Sequence, residues 1–97
     1  MRIEGDTLRA KTSAIIWPTE RDGSKSNTLR EIKDKDEREA YIKWKCRDGP
    51  IFVCVENAET GEVFTRRVTS IVDKTVWPPM KNWVLISWRH EAWRHEE

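Results

Sequence analysis

Long apolar runs are missing from this sequence. None of its apolar stretches approaches the roughly 20 residues a membrane-spanning helix needs, and the opening Met1-Arg2-Ile3-Glu4-Gly5-Asp6 has no apolar centre of the kind a signal peptide carries. The expectation is a soluble, cytoplasmic chain. Charge of one sign is missing too. Eighteen Lys and Arg against 17 Asp and Glu leave a net charge of +1, so attraction to nucleic acid must come from a local patch rather than the whole surface. Cysteine is scarce, with Cys46 and Cys54 alone. If Asp48-Gly49 closes a two-residue hairpin, Cys46 faces Ile51 and Trp44 faces Val53. Cys54 then lies opposite Lys43 and on the other face from Cys46, so a bond between the two is excluded and both thiols stay reduced.

Catalytic patterns are absent as well. There is no glycine-rich phosphate loop, no Ser-His-Asp set and no pair of carboxylates in apolar surroundings. His90 and His95 are five residues apart, whereas a helical metal pair wants four. The acids between Asp34 and Glu39 read as a solvated face, without the environment that shifts a pKa. The reading is a protein that is not an enzyme and takes no metal and no cofactor.

What the chain does have is tryptophan. Hydrophobic residues make up only 37% of it, but six are Trp, and each buried aromatic removes roughly 150–250 Å² from water. Its 97 residues allow one domain spanning 1–97 with a modest core. Residues 1–11 and 90–97 look loosely ordered, the latter as a near-repeat, Trp88-Arg-His-Glu-Ala then Trp93-Arg-His-Glu-Glu. Trp44, Trp83 and Trp88 read as core. Trp17, Trp77 and Trp93 sit beside prolines or in a charged tail, and at least one of them should be exposed as an interface residue.

The stretch from Val55 to Arg89 organises the rest. A turn signal, Asn57 to Gly61, precedes an alternating run from Val63 to Ile71. Pro78-Pro79 then breaks the chain before a second apolar run, Trp83 to Trp88. Both runs read as strands. A four-residue loop, Ala58 to Gly61 with Gly61 at positive φ, sets Val55 opposite Phe64 and Val53 opposite Arg66. Arg66 therefore shares a face with Phe64 and Val68, and must find a carboxylate, a carbonyl or a ligand there. Ile51 to Val55 is almost continuously apolar, as in a central strand covered on both faces.

Upstream, Thr12 to Trp17 reads as a short strand ended by Pro18. Thr19 to Asn27 has no apolar residue and reads as a loop. Thr28-Leu29-Arg30-Glu31 fits a capping box, opening a charged surface helix to Ala40 with Glu31–Lys35 and Asp34–Arg38 pairs. Tyr41 to Cys46 alternates, with Ile42, Trp44 and Cys46 on one face and Tyr41, Lys43 and Lys45 on the other. The expected fold is α+β: a small, bent antiparallel β-sheet of about five strands, as in an Sm-like β-barrel, with one charged surface helix.

Gly61-Glu62, Arg66-Arg67-Val68, Ile71 and Trp83-Val84-Leu85, followed by Ser87-Trp88, together resemble the WYL domain over about residues 55–89. Val84 stands where that family has Tyr, Ser70 where it usually has proline, and its closing Arg-x-Phe segment has no counterpart unless Trp93-Arg94 serves. The resemblance implies a small barrel that senses ligands, often nucleic acid, with Arg66 as a ligand contact. It also implies a helix-turn-helix beside the barrel, for which this sequence has no room.

Basic residues interleaved with aromatics on a sheet are how small barrels hold single strands, phosphates meeting Lys and Arg and bases stacking on rings. The candidate ligand-binding set is Lys43, Lys45, Tyr41, Arg66, Arg67, Trp83 and Arg89. The leading expectation is a regulatory binding module for nucleic acid or a nucleotide ligand. The alternative is a protein-interaction module, an inhibitor or adaptor that blocks a larger protein machine.

Overall fold

In a computed structural model of the chain, residues 1–73 and 82–89 are described. The fold is α+β. Its elements are β1 (Arg2–Glu4), β2 (Thr7–Thr12), α1 (Trp17–Asp22), β3 (Asn27–Glu31), α2 (Lys35–Lys45), β4 (Phe52–Asn57), β5 (Val63–Asp73) and β6 (Trp83–Trp88). Six strands form one sheet in the order β1-β2-β4-β5-β6-β3. The sheet is mixed and open rather than an antiparallel closed barrel: β2 runs parallel to β4, and the other neighbours are antiparallel. A parallel pair needs a long crossover. The chain between Thr12 and Phe52 provides it, placing β3 at the far edge on the way.

The expected hairpin holds. Val55 pairs with Phe64 and Val53 with Arg66, and Gly61 turns the chain at φ 78°. Asn57 Oδ1 accepts from the Glu59 amide at 3.0 Å and closes the loop. β5 pairs with β4 through Arg67 and with β6 from Val68 onward, with a bulge between Val68 and Ser70 where the partner changes. That bulge bends the sheet.

Four elements differ from the reading of the sequence. Thr12–Trp17 is not a strand: the strand ends at Thr12, and Pro18 sits in the first turn of α1, where its fixed φ and missing N–H suit a helix start. Thr19–Asn27 is not all loop: α1 runs on to Asp22 and stops at Gly23, whose φ of 92° provides the left-handed cap. Thr28 opens no helix. It lies in β3 with 2% of its surface exposed, opposite Ile86. Tyr41–Cys46 is not a strand but the last half of α2 and its cap, so Asp48-Gly49 closes no hairpin. Cys46 and Cys54 are free, because they lie on a helix end and a central strand, not on opposite faces of one hairpin.

The start of α2 explains the shift. Asp34 Oδ1 accepts from the Glu37 amide at 2.8 Å, and Glu37 Oε1 reaches back to the Lys33 amide at 3.0 Å. This reciprocal cap sits six residues after the Thr28–Glu31 pattern. Asp36 and Glu37 lie in the first turn, Lys43 and Lys45 in the last, the favourable order for the helix dipole. The buried side chains of α2 are Tyr41 and Trp44. Their spacing of three is helical, and Ile42, assigned inward by alternation, is 47% exposed.

The core lies between the inner face of the sheet and the two helices. Cross-strand rows run Ile3–Leu8–Val53–Arg66 and Ala10–Val55–Phe64. Phe64 is fully buried, 5.7 Å from the Trp17 ring and 5.9 Å from the Trp88 ring. Trp17 is thus a core residue, donating from Nε1 to the Val55 carbonyl, and Trp44 Nε1 donates to the Asp6 carbonyl. Residues 1–11 are not loose. Leu8 is completely buried, and β2 pairs along its length with β4. Trp77, Pro78, Pro79, Trp93 and both histidines lie outside the described residues. Replacing Asp34 by Ala is expected to cost about 0.5–2 kcal/mol, read as a lowered urea midpoint with unchanged m-value.

Candidate functional site

The outer face of the sheet follows from the inner one. Alternation on β2 buries Leu8, Ala10 and Thr12 and turns Arg9 and Lys11 outward. Register then lines up Arg2, Arg9, Cys54 and Thr65 in one outer row, and Lys11, Glu56 and Val63 in another. Between them and β3 lies a cavity of about 560 Å³. Among the described residues, Arg2, Arg9, Lys11, Arg30 and Lys33 line it with a single carboxylate, Glu56. Met1, Ala10 and Cys54 complete the lining.

Part of this charge is already compensated. Glu4 Oε1 lies 3.3 Å from Arg2 Nη2 and 2.9 Å from Arg9 Nε, and Glu56 Oε2 lies 3.8 Å from Lys11 Nζ. These pairs are largely exposed, so each holds its partners only weakly. Arg30 differs. It is half-buried, faces the inner side with Thr28, and donates from Nη2 to Thr12 Oγ1 at 2.6 Å, spanning the open side of the sheet between β3 and β2. Burial lowers its pKa from the ordinary arginine value, and the Glu20 carboxylate opposes that fall. Glu20 is 1% exposed and accepts from Lys25 Nζ at 2.9 Å. The cavity has the means to hold an anion. Among the described residues, no group of three His, Cys, Asp or Glu is placed to hold a metal ion, and no helix is long and apolar enough to cross a membrane.

None of the seven residues expected at the site lines this cavity, and they do not meet as a set. Tyr41 is fully buried in α2. Lys43 and Lys45 are exposed on the last turn of the same helix, not on a sheet. Lys45 Nζ lies 5.7 Å from the Tyr41 ring and 3.9 Å from Asp73. Trp83 is half-buried opposite Glu31, and Arg89 is exposed beyond β6. Arg67 is exposed on the outer face, in the row Glu4–Thr7–Phe52–Arg67 that flanks the row of Arg9. A reading that leaves 1–11 loose and puts residues 28–40 in a helix does not bring these cations together. The alternation of Thr7-Leu-Arg-Ala-Lys-Thr12 was the available signal.

Arg66 points inward as the register requires and is 3% exposed. Nη1 donates to the Thr65 carbonyl and Nη2 to the Arg21 carbonyl, each at 3.0 Å, while the guanidinium lies 4.8 Å from the Phe64 ring centre. It ties β5 to the carbonyl end of α1, where positive charge is favourable. No family model, curated protein or solved structure matches the chain.

Two outcomes follow from these environments. Arg66→Ala is expected to lower the folding free energy by at least about 1.5–3 kcal/mol, measured by chemical denaturation. Tyr41 is the chain's single tyrosine, so absorbance near 295 nm reports it alone. Burial first, and the Asp73 carboxylate second, push its pKa up to about 12. An unfolded tyrosine ionises near 10. The folded state thus holds the proton more tightly, and this contribution to stability is complete below about pH 10 and lost as pH rises toward 12. Phenolate absorbance should stay absent through pH 10.5 in the folded protein and appear at once on adding denaturant.

Proposed function

We propose that the chain is a non-enzymatic, regulatory binding module that holds the phosphates of nucleic acid or of a nucleotide ligand. The observation that carries this reading is the convergence of Arg2, Arg9, Lys11, Arg30 and Lys33 on one cavity in a chain of net charge only +1. Cations gathered at one place, rather than spread over the surface, are what phosphate recognition uses. Arg67 extends the same outer face. The WYL-like resemblance supports the reading from another side. Its Arg66-Arg67-Val68, Ile71 and Trp83-Val84-Leu85 fall on the neighbouring strands β5 and β6, and the approach of Arg30 to Thr12 is the kind of near-closure expected of a small barrel.

A second reading, a protein-interaction module, is favoured by one observation. Val72, Leu85 and Leu29 form an outer cross-strand row beside Trp83, with Val72 43% and Leu29 37% exposed. The two readings separate by salt dependence. Under the first, a labelled single-stranded oligonucleotide or nucleotide binds at roughly 50 mM salt, and affinity falls with log salt at a slope of about −0.7 per phosphate contacted. Lys11→Glu with Lys33→Glu abolishes that binding, whereas Leu29→Lys leaves it intact. No binding to either probe at low salt overturns the proposal.

A further inference from the structure

We infer that the cavity is a phosphate-end site: it takes the terminal phosphate or polyphosphate group of a nucleotide or of a 5′-phosphorylated strand, anchored by Arg30, and grips internal phosphodiesters only weakly. This rests on the function proposed above and narrows it.

Size is the first argument. A cavity of about 560 Å³ lies within the roughly 300–1,000 Å³ of pockets that enclose one small ligand. Layout is the second. The cations come from β1, β2, β3 and the segment after it, and all five line the same cavity. Lining is the third. No aromatic ring lines the cavity among the described residues, so base stacking adds nothing there and phosphate charge decides affinity. A terminal phosphate monoester carries a charge of about −1.5 to −2 at pH 7, against a single charge on an internal diester. The denser charge gains more from convergent cations.

Arg30 is the reason to place the end of the ligand there. Nη2 is held by Thr12, and the buried Glu20 carboxylate adds its charge. Its Nε is buried and has no hydrogen-bond partner among the described residues. Lys33, exposed just beyond β3, makes no ion pair with the described residues. A guanidinium oriented by Thr12 at the cavity wall, beside an uncommitted ammonium, matches the several oxygens of a terminal phosphate.

The test is anisotropy of one short labelled single strand carrying either a 5′-phosphate or a 5′-hydroxyl, with tripolyphosphate, ATP and adenosine as competitors. The expected result is about ten- to hundredfold tighter binding of the phosphorylated strand, the range of one or two charge-assisted hydrogen bonds, with displacement by tripolyphosphate and ATP and none by adenosine. Displacement by free polyphosphate at concentrations where strand ends make little difference identifies a nucleotide as the source. The reverse identifies a strand end. Arg30→Lys, which keeps the charge and replaces the planar guanidinium by a single ammonium, should erase the preference while the weak salt-dependent binding of both strands survives. Should Arg30→Lys melt early, Lys33→Ala on the exposed side should weaken the phosphorylated strand selectively. Equal affinity for both strands, with no displacement by polyphosphate, overturns the phosphate-end site and leaves the general phosphate-binding reading standing. Absence of binding by every probe overturns both.

Discussion

The burial of β4 is the constraint on which the rest depends. Val53 and Val55 are fully buried on its inner face, while Cys54 and Phe52 are 5% and 7% exposed on its outer face. A strand covered on both faces must lie inside the sheet with layers above and below. The inner layer consists of Trp17, Tyr41 and Trp44 from the two helices, packed with Phe64. Among the described residues, no helix covers the outer one. Neighbouring strands provide it, with Arg9 beside Cys54 and Arg67 beside Phe52 in register. Long basic side chains cover apolar surface with their stems and keep their charges in water. The outer face is cationic because the core strand beneath it needs cover that still faces solvent.

The same constraint accounts for what the sequence made legible. β4 is an unbroken apolar run followed by a turn signal and an alternating run, so local pattern and tertiary position agree. The β4–β5 register, and with it the inward direction of Arg66, follows from counting across that loop. β6 is equally plain. Upstream, two patterns competed at each point. Thr28-Leu-Arg-Glu31 and Asp34-Lys-Asp-Glu37 both fit a capping box, and only the second is followed by a turn that buries aromatics at helical spacing. Trp44 fits an alternating series with Ile42 and Cys46, and a helical one with Tyr41. Periodicity over six residues does not separate them. The fold decides, because β3 is needed to pair with β6 and its residues are then unavailable to a helix.

The candidate site was less legible than the fold, for a related reason. Its cations come from β1, β2, β3 and the segment after it; β1 and β2 join the rest of the sheet through the parallel β2–β4 contact, and β3 through the β3–β6 contact. Neither is announced locally. A parallel pair has no turn to mark it. Basic residues read one at a time at Arg2, Arg9, Lys11, Arg30 and Lys33 look like ordinary solvated positions. Their meaning lies in the topology that gathers them.

The two inward-leaning arginines show how one residue type is put to opposite uses. Arg66 is 3% exposed, donates to two backbone carbonyls and rests against Phe64. Its hydrogen bonds offset the cost of burying the charge, and it fastens α1 to the sheet. Arg30 is buried less deeply, donates to one hydroxyl, feels a carboxylate's field, and keeps its buried Nε unpaired among the described residues. An unsatisfied donor on a half-buried guanidinium works against stability. Arg30 sits on β3, an edge strand at the open side of the sheet that a β1–β3 pairing would have closed. One arginine thus holds α1 to the sheet, and the other stands half-buried on an edge strand beside the cationic cavity.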